Sequence, residues 1–303
     1  PEVEAVYISL PNAMHVEWAL RSLEAGKHVL VEKPLTRRPE EVEAVFDAAE
    51  RAGRHVMEAF MWRHHPQVRR LLEIVRGGEI GPLQDILTDK VYLFSGQSDH
   101  TVMPAIVNDA AQFYAKLGLP SSNIKFVSNL PAGHAFVTED AGGECSRSGE
   151  PYVVDCDYDQ AGDLLRHIYG ELKPRVATAS GEYVTFSQEP YTAGMNAGLA
   201  STGVVYIPQS CRGGGCSIHI AYHGCAQNQQ TVGDAFIKTT GFARWADSNK
   251  LIVLFPQVAT SALNPQGCWD WWGYTGHDYL TKKAPQIIAV TKMLEDLSRG
   301  HTS

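Results

Sequence analysis

Residues 1–86 alternate short apolar runs with longer stretches in which apolar side chains recur at helical spacing. Runs rich in β-branched and aromatic residues are typical of strands, and they fall at residues 6–10, 28–31 and 55–60. The helical stretches fall at residues 14–23, 39–53 and 66–75. This regular order of strand and helix predicts a parallel sheet covered by helices.

Residues 87–303 also mix strand and helix patterns. Apolar strand patterns occur at residues 91–95, 124–127 and 218–222, and a helical pattern occurs at residues 105–117. We therefore expect parallel sheet layers in this part as well, and the whole chain is predicted to be an α/β protein.

Composition divides the chain at the same place. All six cysteines lie between Cys145 and Cys268, and 25 charged residues lie in residues 1–86 against 35 in the remaining 217. A boundary near residues 83–88 follows, with one segment at residues 1–86 and another at residues 87–303. Two segments with such different usage suggest two origins.

Charge and hydropathy exclude some partners. The net charge of -8 comes without long like-charge runs, which argues against nucleic acid as a partner. We expect no membrane span, because no stretch of about 18 uncharged apolar residues occurs. We also expect no export signal, because the chain opens with Pro1-Glu2-Val3-Glu4 rather than a basic and then apolar segment.

Chemistry-bearing residues in the first segment follow its strands. Glu32, Lys33 and Pro34 follow one strand, the previous strand leads into Pro11, Asn12 and His15, and a third block spans residues 58–66. Together these blocks resemble the Gfo/Idh/MocA family of NAD(P)-dependent oxidoreductases. The resemblance implies a partial Rossmann-like, dinucleotide-binding segment in which Lys33 assists proton movement during hydride transfer. The competing interpretation makes Glu32 and Lys33 an exposed pair at a strand end.

The sequence lacks the pyrophosphate-binding part of such a fold. A dinucleotide site uses a glycine-rich turn after the first strand and an acidic residue about 20 positions later. No G-x-G-x-x-G occurs in the sequence, and neither feature precedes Pro1. NAD(P) is therefore expected as a cofactor only if the first segment were complete.

In the second segment, a carboxylate and a histidine each follow a predicted strand. Asp99 lies just beyond the strand at residues 91–95, and His134 lies in the loop after the strand at residues 124–127. An α/β hydrolase places the acid and base of its triad in such loops. The strand at residues 218–222 leads into His-Gly, where the Cys225 N–H is a candidate oxyanion donor. Because an oxyanion strand normally comes first, this order implies circular permutation.

Residues 89–297 resemble the circularly permuted poly(3-hydroxybutyrate) depolymerases, through the Asp99 and His134 loops and the block at residues 202–208. The resemblance implies an incomplete α/β-hydrolase fold, an extracellular location, no cofactor, and a polyester or hydroxybutyrate oligomer as substrate. It also implies that one or more of three aromatic residues touch the polymer: Trp269, Trp271 and Trp272. The competing interpretation makes these tryptophans ordinary core and His134 a structural histidine.

The cysteines fit secreted chemistry, and the sequence alone does not choose among their many possible pairings. Local spacing makes Cys211 with Cys216 and Cys145 with Cys156 the simplest pairs, which leaves Cys225 with Cys268. A zinc site is disfavoured, because no C-x-x-C pair occurs and the histidines are scattered.

The nucleophile is the main departure from the family pattern. A serine hydrolase normally carries G-x-S-x-G before the Asp loop, and only oxidoreductase-like sequence precedes Asp99 here. We therefore expect an ester hydrolase impaired by loss of its serine. The alternatives are an NAD(P)-dependent oxidoreductase and a non-catalytic or artefactual fusion.

Overall fold

The structure is a computed structural model that describes residues 3–36, 38–59 and 86–300. These residues divide between two compact units, one containing residues 3–59 and the other containing residues 86–300. Each unit has its own hydrophobic core.

The first unit is a three-stranded parallel sheet in the order β1-β2-β3. Its strands and helices follow the predicted alternation to within two residues at most described ends. The helix predicted at residues 66–75 lies outside the described residues. The described elements are β1 (Ala5–Ile8), a 3-10 turn (Asn12–Met14), α1 (His15–Glu24), β2 (His28–Val31), α2 (Pro39–Ala52) and β3 (Val56–Glu58).

The core of the first unit lies between its sheet and its two helices. Val29 and Val31 point from the central strand toward apolar residues of α1 and α2, among them Leu23 and Val45, which are fully buried. Helix α2 ends at Gly53, whose backbone is left-handed with φ 62°, a conformation that glycine adopts without steric cost.

The second unit begins with two small parallel sheets. One pairs β4 (Val91–Phe94) with β5 (Ile124–Val127), and helix α3 (Pro104–Lys116) connects them. The other has the order β6-β8-β7. Its strands are β6 (Phe136–Thr138), β7 (Gly143–Glu144) and β8 (Val153–Asp155), followed by helix α4 (Gln160–Tyr169).

The largest sheet of this unit is mixed, in the order β11-β12-β10-β9. Strands β11 (Ser217–Ile220) and β12 (Leu251–Phe255) are parallel, whereas β10 (Thr202–Ile207) is antiparallel to both β12 and β9 (Glu182–Ser187). The expectation of parallel layers throughout was therefore wrong for β9 and β10. The chain reverses between them over residues 188–201, which is compatible with antiparallel pairing of neighbouring strands. The helices around this sheet are α5 (Glu189–Thr192), α6 (Gln229–Val232), α7 (Ala235–Thr239), α8 (Phe242–Asn249) and α9 (Pro285–Ser298).

Aromatic side chains fill the core beside this sheet. Tyr206 and Phe255 are fully buried, and Phe242 and Trp245 of α8 belong to the same cluster. The Tyr206 hydroxyl donates to Asp247 at 2.6 Å, so its polar end is satisfied. Of the helices described, none is long and apolar enough to cross a bilayer.

Three disulfides lie in the second unit. They join Cys145 to Cys156, Cys211 to Cys216, and Cys225 to Cys268, with Cα separations of 4.8, 5.7 and 4.3 Å. This is the pairing that local spacing favours. The third bridge closes the longest segment, with a sequence separation of 43 residues, and ties the Cys225 turn to the aromatic loop.

Because every cysteine lies in the second unit, we expect reduction to destabilise that unit alone. A disulfide contributes about 2–4 kcal/mol, largely by restricting the unfolded chain. In scanning calorimetry, a reductant should lower the unfolding temperature of residues 86–300 and leave the unfolding temperature of residues 3–59 unchanged. Val45→Ala should do the reverse, because it opens a cavity in the first core. A single transition that responds to both changes would contradict two independent cores.

Candidate active site

Asp99 begins the site, in the loop that follows β4. Asp99 is 8% exposed, and one carboxylate oxygen, Oδ1, accepts hydrogen bonds from the backbone N–H groups of Thr101 and Val102, both at 2.8 Å. These two bonds fix the carboxylate in its loop and leave the second oxygen, Oδ2, available for another partner.

That partner is His134, in the loop between β5 and β6. The His134 Nδ1 lies 2.8 Å from Asp99 Oδ2, and the imidazole side chain is 39% exposed. With Nδ1–H donating to the carboxylate, Nε2 carries the free lone pair and can accept a proton. The His134 backbone N–H donates to Ser148 Oγ at 2.8 Å, which holds the loop from its other side.

Close backbone packing brings the two loops together. The Ser98 N–H donates to the Ala132 carbonyl at 3.0 Å, and a side chain at Gly96 would place its Cβ 2.0 Å from the same oxygen. Gly133 is equally constrained, since its Cβ would lie 2.4 Å from the Arg147 carbonyl oxygen. Only glycine fits at either position without moving the backbone.

The Asp–His pair opens into a cavity of about 350 Å³. Tyr152 lines it from the loop before β8, with its ring edge-on to the imidazole at a centroid distance of 6.5 Å. A second part of the wall includes Tyr222, Gly224 and Cys225, which follow β11. The predicted acid, base and oxyanion residues thus lie around one cavity.

A hydrogen bond and a disulfide join the turn after β11 to residues 266–268. Ala226 N–H donates to the Gln266 carbonyl at 2.7 Å, and the disulfide joins Cys225 to Cys268. Among the described residues, the Cys225 N–H donates to no other group of the chain, so it is available to a ligand. His223 plays a different part: its Nε2 accepts from the Val258 N–H, and burial lowers its pKa, so the ring is neutral and structural.

A single carboxylate organises the aromatic loop that follows Cys268. Asp270 accepts hydrogen bonds from four consecutive backbone N–H groups, at residues 272–275, and from the Thr275 hydroxyl. Trp271 is 66% exposed, and its ring meets that of Trp272 edge-on at 5.1 Å. Trp269 is half-buried, packs edge-on against Tyr222 at 4.8 Å, and lines a second cavity of about 370 Å³.

No serine hydroxyl in the described part of the chain bonds to the His134 imidazole. Ser148 accepts from the His134 backbone rather than from its ring. Ser98, within the Asp99 loop, uses its backbone N–H to bind the Ala132 carbonyl, and the Ser95 hydroxyl is buried without a partner in the described residues.

The predicted oxidoreductase residues lie in the turns after β1 and β2. Glu32 accepts a hydrogen bond from the Tyr7 hydroxyl, which lowers the pKa of its carboxyl group. Both ring nitrogens of the buried His15 contact carbonyl oxygens, Nδ1 that of Pro34 at 2.8 Å and Nε2 that of Leu10 at 2.6 Å. His15 therefore joins the turn that contains Pro11 to the turn that contains Lys33.

These two turns do not fit a dinucleotide pyrophosphate. Such a site needs several free backbone N–H groups at a strand-to-helix turn. Each of the turns at Pro11 and Pro34 contains a proline, which has no N–H, and neither contains glycine. Asn12 and Pro34 line a separate cavity of about 420 Å³. The described first unit thus offers polar groups but no phosphate cradle, and no group of His, Cys, Asp and Glu residues in the described chain could hold a metal ion.

The structure also brings residues into the site that the sequence analysis did not single out. Gln227 and Tyr152 both line the cavity beside His134. Gln227 lies two residues after Cys225, so the sequence could have predicted that it lies near the candidate oxyanion donor. Tyr152 had none, because only the fold brings residues 134 and 152 together.

Comparison with known proteins divides the chain in the same way. Residues 1–60 match the sequence model of the Gfo/Idh/MocA oxidoreductase family, with an NAD-binding Rossmann fold. The chain is 40% identical over 228 residues to a poly(3-hydroxybutyrate) depolymerase of Delftia acidovorans, which covers 74% of this chain and 45% of that relative. It is 36% identical over 243 residues to a polyhydroxybutyrate depolymerase of Talaromyces funiculosus, covering 74% of this chain and 70% of the relative.

A solved structure gives the same result for the fold. A PHB depolymerase in which a serine is replaced by alanine, complexed with an R3HB trimer, superimposes with a TM-score of 0.72 and 32% identity over 78% of each chain. The chain spans less than half the length of the Delftia relative.

These findings confirm both resemblances seen in the sequence. The chain combines an oxidoreductase segment of the Rossmann class with a segment of the polyester-hydrolase class. Through the latter it belongs to the poly(3-hydroxybutyrate) depolymerase family.

Gly96→Ala should separate Asp99 from His134, because the new methyl group would lie 2.0 Å from the Ala132 carbonyl oxygen. We expect a cost of about 1–3 kcal/mol in the free energy of unfolding. The downfield NMR resonance of the His134 Nδ1–H should be lost. Gly213→Ala is the matched control, since that position opens into free space. An unchanged Nδ1–H resonance in Gly96→Ala would contradict the proposed packing constraint.

Proposed function

We propose that the chemistry for which this chain is built is the hydrolysis of poly(3-hydroxybutyrate)-type ester bonds. The observation that carries the proposal is the Asp99–His134 hydrogen bond of 2.8 Å at a cavity that Cys225 also lines. Membership of the depolymerase family supports it. A carboxylate that orients an imidazole toward an open cavity is the arrangement by which serine hydrolases activate a hydroxyl.

Each residue has one task in this proposal. His134 Nε2 takes the proton from the attacking hydroxyl and returns it to the leaving alkoxide, while Asp99 stabilises the imidazolium that forms between these steps. The Cys225 N–H donates to the oxyanion of the tetrahedral intermediate. The order of these residues in the chain, with the oxyanion turn last, supports a circularly permuted hydrolase.

The nucleophile is the part that we propose this chain has lost. No described serine hydroxyl bonds to the His134 ring, and oxidoreductase-like sequence stands before the Asp99 loop. The related structure with a bound R3HB trimer carries a serine-to-alanine change, which fits binding that persists without turnover. We therefore propose that the chain binds hydroxybutyrate oligomers and hydrolyses them poorly.

The substrate is proposed to lie against the aromatic loop. Ester chains with apolar methyl groups suit flat aromatic walls, and Trp269, Trp271 and Trp272 supply these close to the turn that contains Cys225. The three disulfides favour an oxidising, extracellular setting. The hydrolase chemistry calls for no cofactor.

A second candidate function is NAD(P)-linked oxidoreduction, with Lys33 assisting proton movement and Glu32, Asn12 and His15 shaping the turns around it. The match of residues 1–60 to the NAD-binding family favours it. The described turns offer no cradle for pyrophosphate, so we propose that this unit binds the cofactor weakly. Titration with NADPH, followed by its fluorescence, tests this proposal, and saturation at micromolar cofactor would overturn it.

Turnover of short 3-hydroxybutyrate esters should be close to background in the chain as it stands. Residual catalysis without a triad member is about a thousandfold over water. A pH-stat assay should detect little acid release, and Ser98→Ala should leave this rate unchanged. Robust hydrolysis that disappears when one serine is replaced would refute loss of the nucleophile. Insertion of a nucleophile-bearing segment should raise the rate, and His134→Ala should abolish that gain.

Binding should persist where turnover does not. Calorimetry should detect association of an R-3-hydroxybutyrate trimer, and Trp271→Ala should weaken it several-fold, because an exposed ring that covers substrate contributes about 1 kcal/mol. Trp18→Ala removes a partly exposed tryptophan from the first unit and serves as the matched control. Equal trimer affinity in the Trp271→Ala variant and the unmodified chain would exclude that side chain from the binding surface.

A further inference from the structure

The side-chain amide of Gln227 connects the two walls of the cavity. Gln227 is 8% exposed, and both ends of its amide bind backbone. Its Oε1 accepts a hydrogen bond from the Gly224 N–H at 2.8 Å, and its Nε2 donates to the Tyr152 carbonyl oxygen at 2.8 Å. One side chain thus joins the oxyanion turn to the loop that faces His134.

The Tyr152 carbonyl is also bound to β6, the strand that follows the His134 loop. It accepts a second hydrogen bond, at 2.8 Å, from the N–H of Phe136, two residues after His134. Tyr152 has a left-handed backbone with φ 57°, which is unfavourable for a side chain of its size. Its contacts with Gln227 and Phe136 therefore hold it where it faces the imidazole.

Gly224 makes room for this connection. A side chain at residue 224 would place its Cβ 2.9 Å from Gln227 Oε1 and displace the amide. The turn is closed further by the Gln227 N–H, which donates to the Gly224 carbonyl at 3.2 Å. The Cys225 N–H therefore lies in a turn that two hydrogen bonds between Gly224 and Gln227 close.

We propose that Gln227 is a positioning residue, which sets the place of the Cys225 N–H relative to the His134 imidazole. It acts through the backbone of Gly224 and Tyr152 and touches no reacting atom. The proposal rests on the proposed function for the chemical meaning of the Cys225 N–H. The mechanical link between the two walls does not depend on that function.

The chemistry of an amide explains why glutamine suits this position. One end must accept a hydrogen bond and the other must donate one. A glutamate carboxylate of the same size accepts at both ends, so it would face the Tyr152 carbonyl oxygen without a proton between them. A protonated glutamic acid regains a donor and has nearly the shape of glutamine. Gln227→Glu should therefore behave like the original residue only when its carboxyl group is protonated.

The test measures R-3-hydroxybutyrate trimer affinity by calorimetry for the unmodified chain and for Gln227→Glu, at pH 7 and at about pH 4, near the ordinary pKa of a glutamate. We expect the variant to bind about tenfold more weakly at pH 7, the size of a lost buried hydrogen bond, and to approach the unmodified chain at the lower pH. Gln209→Glu is the matched control, since Gln209 Nε2 binds the Ser180 carbonyl outside this cavity. The control should match the unmodified chain at both pH values.

Amide hydrogen exchange at Gly224, whose N–H donates to Gln227 Oε1, is measured without ligand and separates this proposal from the proposed function. At pH 7, exchange should be faster in Gln227→Glu than in the unmodified chain. At the lower pH, the two proteins should exchange at the same rate. A trimer that fails to bind the unmodified chain would count against the proposed function alone, and the exchange data would still decide on Gln227. Equal exchange in both proteins at pH 7, or a loss of affinity that is the same at both pH values, would overturn the positioning role.

Discussion

The close backbone contact between the loop at Gly96 and the loop at Ala132 is the constraint on which the candidate site depends. Asp99 and His134 come from loops after two neighbouring parallel strands, whose carboxyl ends lie at the same edge of the sheet. Here the Ser98 N–H bonds to the Ala132 carbonyl, and the absence of a side chain at Gly96 lets the two backbones meet. The Asp–His hydrogen bond is a consequence of this packing as much as of its own charge.

The outline of the fold could be predicted from the sequence because apolar periodicity is a local signal. Strands β2 and β5 and helix α2 were predicted closely, and Asp99 and His134 were found because hydrolases place such residues after strands. The antiparallel pairing of β9 and β10 was missed, since it depends on which strands become neighbours. Gln227 was missed for a related reason: its partner Tyr152 lies 75 residues away in the chain.

The two units differ in the groups that their turns offer to a ligand. In the second unit, Asp99, His134, the turn that contains Cys225 and the aromatic loop lie around two cavities, and hydrogen bonds or disulfides hold each of them. In the first unit, His15 joins two turns that carry polar groups, yet the prolines there leave few N–H donors for a phosphate. Parallel strands followed by polar turns thus occur in both units, and in the second unit these turns bring an Asp–His pair to a cavity.

The Asp270 carboxylate fixes its loop almost entirely through backbone N–H groups, with the Thr275 hydroxyl as the one side-chain donor. Because a backbone donor is the same whatever side chain it carries, residues 271 and 272 can be exchanged without loss of these hydrogen bonds. The backbone path of the loop therefore depends little on the side chains at these two positions. If the loop binds substrate as proposed, its surface can be changed to suit esters of other bulk, by natural drift or by library selection, without a change in its backbone.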